Sequence, residues 1–447
     1  MNFDAVKNSL VREARAAGLE EYEIYFMESG GTSAETLKGE ISSFSCEVSG
    51  GISFRCIYGG KLGSAATQLF TDEEMKALVE RAIENAKYVE SDDKAVIFAG
   101  SESYAKLDLP ETEEKSTVEL KQIALSLHKD IYAQSEYVSD GTSAFVMQNK
   151  TNIVLMNSHG LELSGKVGVV GAGASAVVSK DGEAQEAFSL KSGFSKEALE
   201  AIPKDSVTDA LKKLGATEIE SGKYDIIIDG KQMRTLLSTF SSVFSGRSAN
   251  LGLSLLKGKE GEQIAAECVT IVDDPMYKGS AMQTSFDGEG VATYTKNVVE
   301  NGVLKTLLYD IASADKVGKE STGNGQRAGY ASPVSIAPYH FYISAGELDD
   351  DALLEALGDG LYITELKGLH AGANSVTGDF SIESAGFRVR DGKKCESVKS
   401  FTIAGNFFEL IKSVESLSSN VKFGFPSGFT VFGAPDTLVR KMSVAGK

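Results

Sequence analysis

Apolar positions near the start of the chain follow a helical period. Phe3, Val6, Leu10 and Val11 fall near one face, and Gly18 suits the end of that helix. EEYEIYFMESG then alternates apolar and acidic residues, which predicts a half-buried strand. Residues 41 to 67 predict a meander of ISSFSCEVSG, GISFRCIYGG and KLGSAAT, divided at glycine pairs. A helix follows over TDEEMKALVERAIENAKYV. Its face is Met75, Leu78, Ala82 and Ala86, and Thr71 with Glu74 fits a capping box.

The next stretch, SDDKAVIFAGSESYAKLDLPETEEKST, is polar and acidic and predicts a link between units. A helix begins near Ser116, again with a capping pair, Ser116 and Glu119. Strands are predicted in TSAFVMQNK, TNIVLMNSHG, LELSGKVGVVGAGASAVVSK and GEAQEAFSL. Turns fall at Ser158-His159-Gly160 and Lys180-Asp181-Gly182. SKEALEAIPKDSVTDALKKLGA predicts a closing helix. A third unit opens with the strand YDIIIDG and a helix from Lys231 to Ser245. Met233, Leu236, Leu237, Phe240, Val243 and Phe244 form its apolar stripe, and Gly246 suits a position just past its end. The remainder is β-rich, with hairpin signals at Asn301-Gly302 and Asp391-Gly392 and a last strand in GAPDTLVRKMSVAG. The pattern predicts an α+β chain of three units: an N-terminal helix and antiparallel-sheet domain over 1–100, a central α/β segment over 101–220 and a β-rich domain over 221–447. It shows no solenoid repeat and no low-complexity tract.

Composition narrows the function. The 447 residues carry a formal net charge of −18, which argues against non-specific nucleic-acid binding. The N-terminus lacks the basic and apolar regions of a signal peptide, and no apolar run is long enough to span a bilayer. The four cysteines are scattered. Cys46 and Cys56 flank a Gly-Gly and could face each other across a hairpin, yet nothing indicates an oxidising compartment. They read as reduced thiols of a cytoplasmic protein.

Chemistry-bearing motifs are sparse. His128, His159, His340 and His370 lie far apart in sequence, so no helical zinc motif is present. G-x-S-x-G is absent. The S-x-x-K matches at Ser126 and Ser254 are short patterns in a chain rich in serine and lysine. Gly171, Gly173 and Ala176 have dinucleotide-loop spacing but are followed by strand residues, which favours close strand packing instead. STFSSVFSGRSA occupies a helix after a buried strand and contains no base, acid or metal ligand.

Residues 374 to 414, with SVTGDFS, SAGF, a DG turn and TIAGN, resemble the TldD/PmbA family, the modulators of DNA gyrase, in its PmbA (TldE) branch. The resemblance covers nearly the whole chain. ANLGLSLLKGKEGEQIA and GAPDTLVRKMSVAG agree with it. The family's catalytic TldD branch is a metallopeptidase with a helical H-E-x-x-x-H motif. The resemblance places the first histidine on Ser238, the glutamate on Thr239 and the second histidine on Val243. It therefore implies no catalytic residue, no metal ligand and no cofactor in this chain, with zinc held only by a TldD-like partner. The implied role is a non-catalytic subunit of a cytoplasmic metalloprotease acting on unfolded peptides. Its partners would be the TldD-like subunit, a second copy of itself, or both, with neither nucleic acid nor membrane. Ser375, Val376, Thr377, Gly378, Asp379 and Phe380 are the candidate peptide contacts, by strand addition. A stand-alone homodimer that binds peptide without cleaving it remains the alternative, and a hydrolase using Ser238 or Ser254 is a third.

Overall fold

The computed structural model describes residues 3–111 and 114–447. The N-terminal part runs α1 (Phe3–Ala16), β1 (Tyr22–Leu37), β2 (Glu40–Tyr58), β3 (Lys61–Thr67) and α2 (Asp72–Lys87). The link that follows has no helix or strand among its described residues; residues 112 and 113 of it lie outside them. The central part runs α3 (Thr117–Tyr132), β4 (Ser143–Asn157), β5 (Glu162–Lys180), β6 (Glu183–Ser192) and α4 (Lys196–Lys213).

The same helix–three strands–helix order thus occurs twice. β1 pairs with β4 antiparallel, so both halves share one sheet in the order β3-β2-β1-β4-β5-β6. The segments expected as separate units over 1–100 and 101–220 meet along this central seam. Strand alternation divides the faces. Tyr22, Ile24 and Phe26 of β1 enter one core with α1 and α2, whereas Tyr25 and Met27 face the C-terminal part around Phe286. Ala144 and Val146 of β4 and the alternate alanines Ala172, Ala174 and Ala176 of β5 pack under α3 and α4.

Local chemistry sets many boundaries. Ser116 and Glu119 form a reciprocal capping box on α3, and Thr71 caps α2 by accepting the Glu74 N–H. Asp181, Asn301 and Asp391 take positive φ, each followed by a glycine that does the same. One expectation fails at Gly50-Gly51. The pair does not turn the chain: β2 runs straight through it, opposite Glu28 and Met27. Its glycines serve close approach, since a Cβ on Gly51 would lie 2.5 Å from the Tyr330 ring and 2.7 Å from the Thr67 carbonyl oxygen. Gly51→Ala is expected to destabilise the protein by about 1–3 kcal/mol, read as a lower urea midpoint. Cys46 and Cys56 consequently lie along one strand, and all four cysteines are free thiols. TSAFVMQNK and TNIVLMNSHG are likewise one strand, β4.

The C-terminal part opens with β7 (Gly222–Ile228), α5 (Gly230–Phe240), a 3-10 turn (Ser241–Phe244) and α6 (Gly246–Asn250). A second six-stranded sheet follows the order β10-β9-β8-β13-β19-β18. It is formed by β8 (Ile271–Asp273), β9 (Lys296–Glu300), β10 (Val303–Leu304), β13 (His340–Ile343), β18 (Lys422–Phe423) and β19 (Val431–Ala434). Between these in sequence, β11 (Gly325–Gln326) and β12 (Ser335–Ile336) make a small ribbon. The third sheet joins β14 (Gly360–Lys367), β15 (Asp379–Arg390), β16 (Lys393–Asn406), β17 (Val414–Leu417) and β20 (Thr437–Ala445) to β7. It closes into a barrel because β16 pairs with both β15 and β20, and β20 pairs with β7. α5 lies between barrel and sheet, and its apolar stripe shares one core with Ile226 and Ile403 of the barrel and Ile271 and Phe341 of the sheet. Among the described residues, no helix is long and apolar enough to cross a membrane.

Candidate functional site

The motif helix is fixed first at its N-terminus. Asp229 accepts the Lys231 N–H at 2.7 Å, and Asp436 accepts the Gly230 N–H at 2.7 Å. Lys422 donates to Asp229 at 3.0 Å and to Asp436 at 2.5 Å, while the Tyr362 hydroxyl donates to Asp436 at 2.6 Å. Burial works against the Asp229 carboxylate, but the Lys422 charge and these hydrogen bonds hold it below the ordinary aspartate value. Burial and the two carboxylates drive the Tyr362 phenol far upward. Residues 229, 362, 422 and 436 come from four separated segments. Only the Asp-Gly after the apolar run of β7 hints at them in sequence.

Along α5, Met233, Leu236, Leu237 and Phe240 are wholly buried, and Phe240 stacks on Phe407 with ring centroids 4.7 Å apart. The continuous helix expected from Lys231 to Ser245 stops at Phe240 and tightens into the 3-10 turn. Hydroxyls compete with the helical ladder here: Thr239 donates back to the Thr235 carbonyl at 2.8 Å, and Ser241 donates to the Ser238 carbonyl at 2.9 Å. Gly246, expected to end the helix, instead begins α6 with the Tyr309 ring against its Cα, where a Cβ would come within 2.2 Å.

The three positions that the resemblance assigns to the motif therefore diverge. Ser238 is exposed, Thr239 is half-buried with its hydroxyl turned onto the helix, and Val243 is fully buried in the core. These residues do not fit a zinc ion, because Val243 is an aliphatic side chain in an apolar core, the Thr239 hydroxyl is turned onto the helix, and Ser238 offers only a neutral hydroxyl. Among the described residues, no group of three or more His, Cys, Asp or Glu is placed to hold a metal.

Ser254 is buried and donates to the Val243 carbonyl at 2.5 Å. Among the described residues, no histidine is hydrogen-bonded to Ser238. The serine–histidine contact that does form is Ser280 Oγ to His340 Nε2 at 2.8 Å, with His340 Nδ1 3.1 Å from the Asp274 carbonyl. Ser280 also accepts the Met282 N–H at 3.1 Å, so the pair fastens the 277–282 loop onto β13.

The peptide-contact stretch divides in two. Ser375–Thr377 form a turn, and only Asp379 and Phe380 enter β15. Asn374 Oδ1 accepts the N–H groups of Val376 at 2.9 Å and Thr377 at 3.2 Å, and its carbonyl accepts that of Gly378 at 2.8 Å. Asp379 N–H donates to Thr377 Oγ1 at 3.3 Å, and Phe380 pairs with Gly405 of β16. The N–H groups of residues 376–379 are satisfied within the loop, which leaves the exposed side chains of Val376, Thr377 and Asp379 as its outward groups.

A buried ionic cluster joins the first sheet to the C-terminal part. Glu23 of β1 takes two hydrogen bonds from Arg55 of β2, at 3.0 and 2.8 Å, and another from Arg327. Glu23 and Arg327 are almost inaccessible, and the Arg327 guanidinium lies 4.3 Å from the Tyr25 ring centroid. Burial opposes the Glu23 carboxylate, yet the charges of Arg327 and Arg55 bring it below the usual glutamate value. Burial pushes Tyr25 up to about 12, and burial with the Glu289 charge pushes nearby Asp287 up to about 8.

Three parts of the chain match family profiles: residues 22–86 match PmbA/TldA metallopeptidase domain 1, residues 107–214 the central domain and residues 221–446 the C-terminal domain. The last alone spans half the chain. The chain belongs to the PmbA/TldD family. That agrees with what SVTGDFS, SAGF and TIAGN imply. An uncharacterized protein of Methanocaldococcus jannaschii is 30% identical over 411 residues, 89% of this chain and 91% of that protein. The solved structure of a proposed modulator of a DNA gyrase from Thermotoga maritima superposes with a TM-score of 0.88 at 28% identity, covering 99% of this chain and 100% of the other. TldE from Thermococcus kodakarensis shares the fold, with a TM-score of 0.83 at 24% identity over 99% of this chain and 100% of that one. Family membership makes this a metalloprotease-like PmbA/TldD protein. Its α+β architecture, with the antiparallel N-terminal sheet and β-rich C-terminal domain, is the one expected from the sequence pattern.

Proposed function

We propose that this chain is the non-catalytic, PmbA/TldE-like subunit of a cytoplasmic metalloprotease that acts on unfolded peptides. One observation carries the reading: at the positions where the TldD motif requires His, Glu and His, the chain has an exposed Ser238, a back-bonded Thr239 and a core Val243. The helix after β7 is kept as far as Phe240, and ligand chemistry is missing from all three positions. Zinc and the activated water would then come from a TldD-like partner. Contact with extended peptide at residues 375–380 would run through the side chains of Val376, Thr377 and Asp379, because the loop uses its own main-chain donors.

The purified chain, given zinc and an unfolded peptide, is expected to show no cleavage by mass spectrometry. Co-expression with a TldD-like chain from the same source is expected to give a mixed complex whose cleavage is lost on chelation. Chelator-sensitive cleavage by the pure chain would overturn the reading. A stable homodimer that binds peptide and ignores the TldD-like chain would replace it with the stand-alone alternative.

A further inference from the structure

The doubled N-terminal half leaves a gap. α1 and α2 cover the apolar end of one half of the sheet, and α3 and α4 cover that of the other. Between them the strands turn polar, in ESGGTS of β1, QNKTN of β4 and SGKVG of β5. A cleft of about 650 Å³ lies over this seam, walled by Leu109, Pro110, Glu111 and Glu114 of the link. That volume is within the range of small-ligand sites.

Strand register brings two lysines together on its floor. Asn152 opposes Lys166 and Lys150 opposes Gly168, so the two lysines are diagonal neighbours on one face of an antiparallel pair. Glu114 pairs with Lys150 at 3.0 Å. Among the described residues, no carboxylate forms an ion pair with Lys166. The nearby Lys150 ammonium, and then burial, lower the Lys166 value from the ordinary lysine one. Glu114 is engaged by Lys150, which leaves the exposed Lys166 ammonium beside it as the cation that a bound anion would meet first. The chain as a whole is strongly acidic, so this local cation pair stands out. Glu28 and Glu111 line the same cleft without pairing to either lysine, which suits the cationic group of a mixed-charge ligand. Asn152 and Thr32 add amide and hydroxyl groups that can bond a peptide main chain.

We infer that this seam cleft binds the carboxylate end of a short peptide, with Lys150 and Lys166 as its anion-binding pair. The inference rests on the peptide-binding reading above and places that binding away from the motif helix. Its ligand chemistry is a carboxylate, supplied by a peptide terminus or by an acidic side chain.

The test is calorimetric titration of the full chain with tetra-alanine, its C-terminal amide, and an amidated tetrapeptide carrying one glutamate. The free acid is expected to bind at least tenfold more tightly than the plain amide. Lys150→Gln and Lys166→Gln are each expected to remove most of that preference, with circular dichroism unchanged because neither lysine is buried. Recovery of tight binding by the glutamate peptide would assign the site to acidic side chains as well as termini. Equal binding of acid and plain amide, or a preference retained in both variants, overturns the inference. If no tetrapeptide binds while a longer unfolded peptide does, only the cleft assignment falls. If neither binds, the peptide-binding reading falls with it.

Discussion

Replacing Glu23 by glutamine is expected to cost about 3–5 kcal/mol of stability, because it strands two guanidinium groups in a buried site. Among the described residues, Arg55 and Arg327 have no other carboxylate bonded to them, and the Arg327 Nε lacks a hydrogen-bond partner. Urea unfolding followed by circular dichroism should show the midpoint falling, and limited proteolysis should show earlier cutting between the first sheet and the C-terminal part. The exposed Lys76–Glu80 pair is the control, since Glu80→Gln is expected to shift stability by less than about 0.5 kcal/mol. The pH dependence has a definite sign. The folded Glu23 value lies below its ordinary value of 4.5, so the unfolded chain takes up this proton first. The stabilisation is full above about pH 4.5 and is lost as pH falls through the folded value. The gap between the native protein and Glu23→Gln should therefore narrow in acid. A gap that is constant with pH would mean that the pair contributes through packing alone.

Rebuilding the metal motif is expected to fail, and to fail by unfolding before it fails chemically. Val243→His places an imidazole in a core formed with Phe240, Phe244 and the second sheet. The lost packing and unpaired ring nitrogens should cost about 3 kcal/mol. The triple change Ser238→His, Thr239→Glu and Val243→His is expected to bind no stoichiometric zinc by elemental analysis, because the 3-10 turn holds position 243 in the core while position 238 faces solvent. One tightly held zinc per folded chain would show that the scaffold still brings these positions together. It would remove the main support for a non-catalytic role.

Local patterns in the sequence were reliable where one segment determines its own structure. The Ser116 and Thr71 caps, the Asn301-Gly302 and Asp391-Gly392 turns, and the apolar stripe of α5 all depend on residues within a few positions of one another. Gly50-Gly51 misled because glycine marks both turns and close approaches, and here Tyr330, far along the chain, decides between them. The helix end at Phe240 was hidden for a similar reason. The apolar period continues through Val243 and Phe244, and only the hydroxyl back-bonding and the distant Tyr309 reveal the break. The Glu23–Arg55–Arg327 cluster and the Lys150–Lys166 pair require knowing which strands are neighbours. β1 meets β4 across more than a hundred residues, and no short window contains that information. Assigning an empty motif to Ser238, Thr239 and Val243 rests on family resemblance alone, since the residues themselves read as an ordinary packed helix.

The barrel has a consequence for how the protein is made. β7 is synthesised near the middle of the chain, but one of its two neighbours is β20, which is also the strand that seals β16. On the ribosome the first sheet can assemble as soon as β6 has emerged, because all its strands are contiguous in sequence. The barrel must wait with an open edge until residues 437–445 follow. Until then the core around α5 lacks Val439, Met442 and Val444, which makes the second half of translation the period when a chaperone, or a partner subunit already folded, has most to gain by binding.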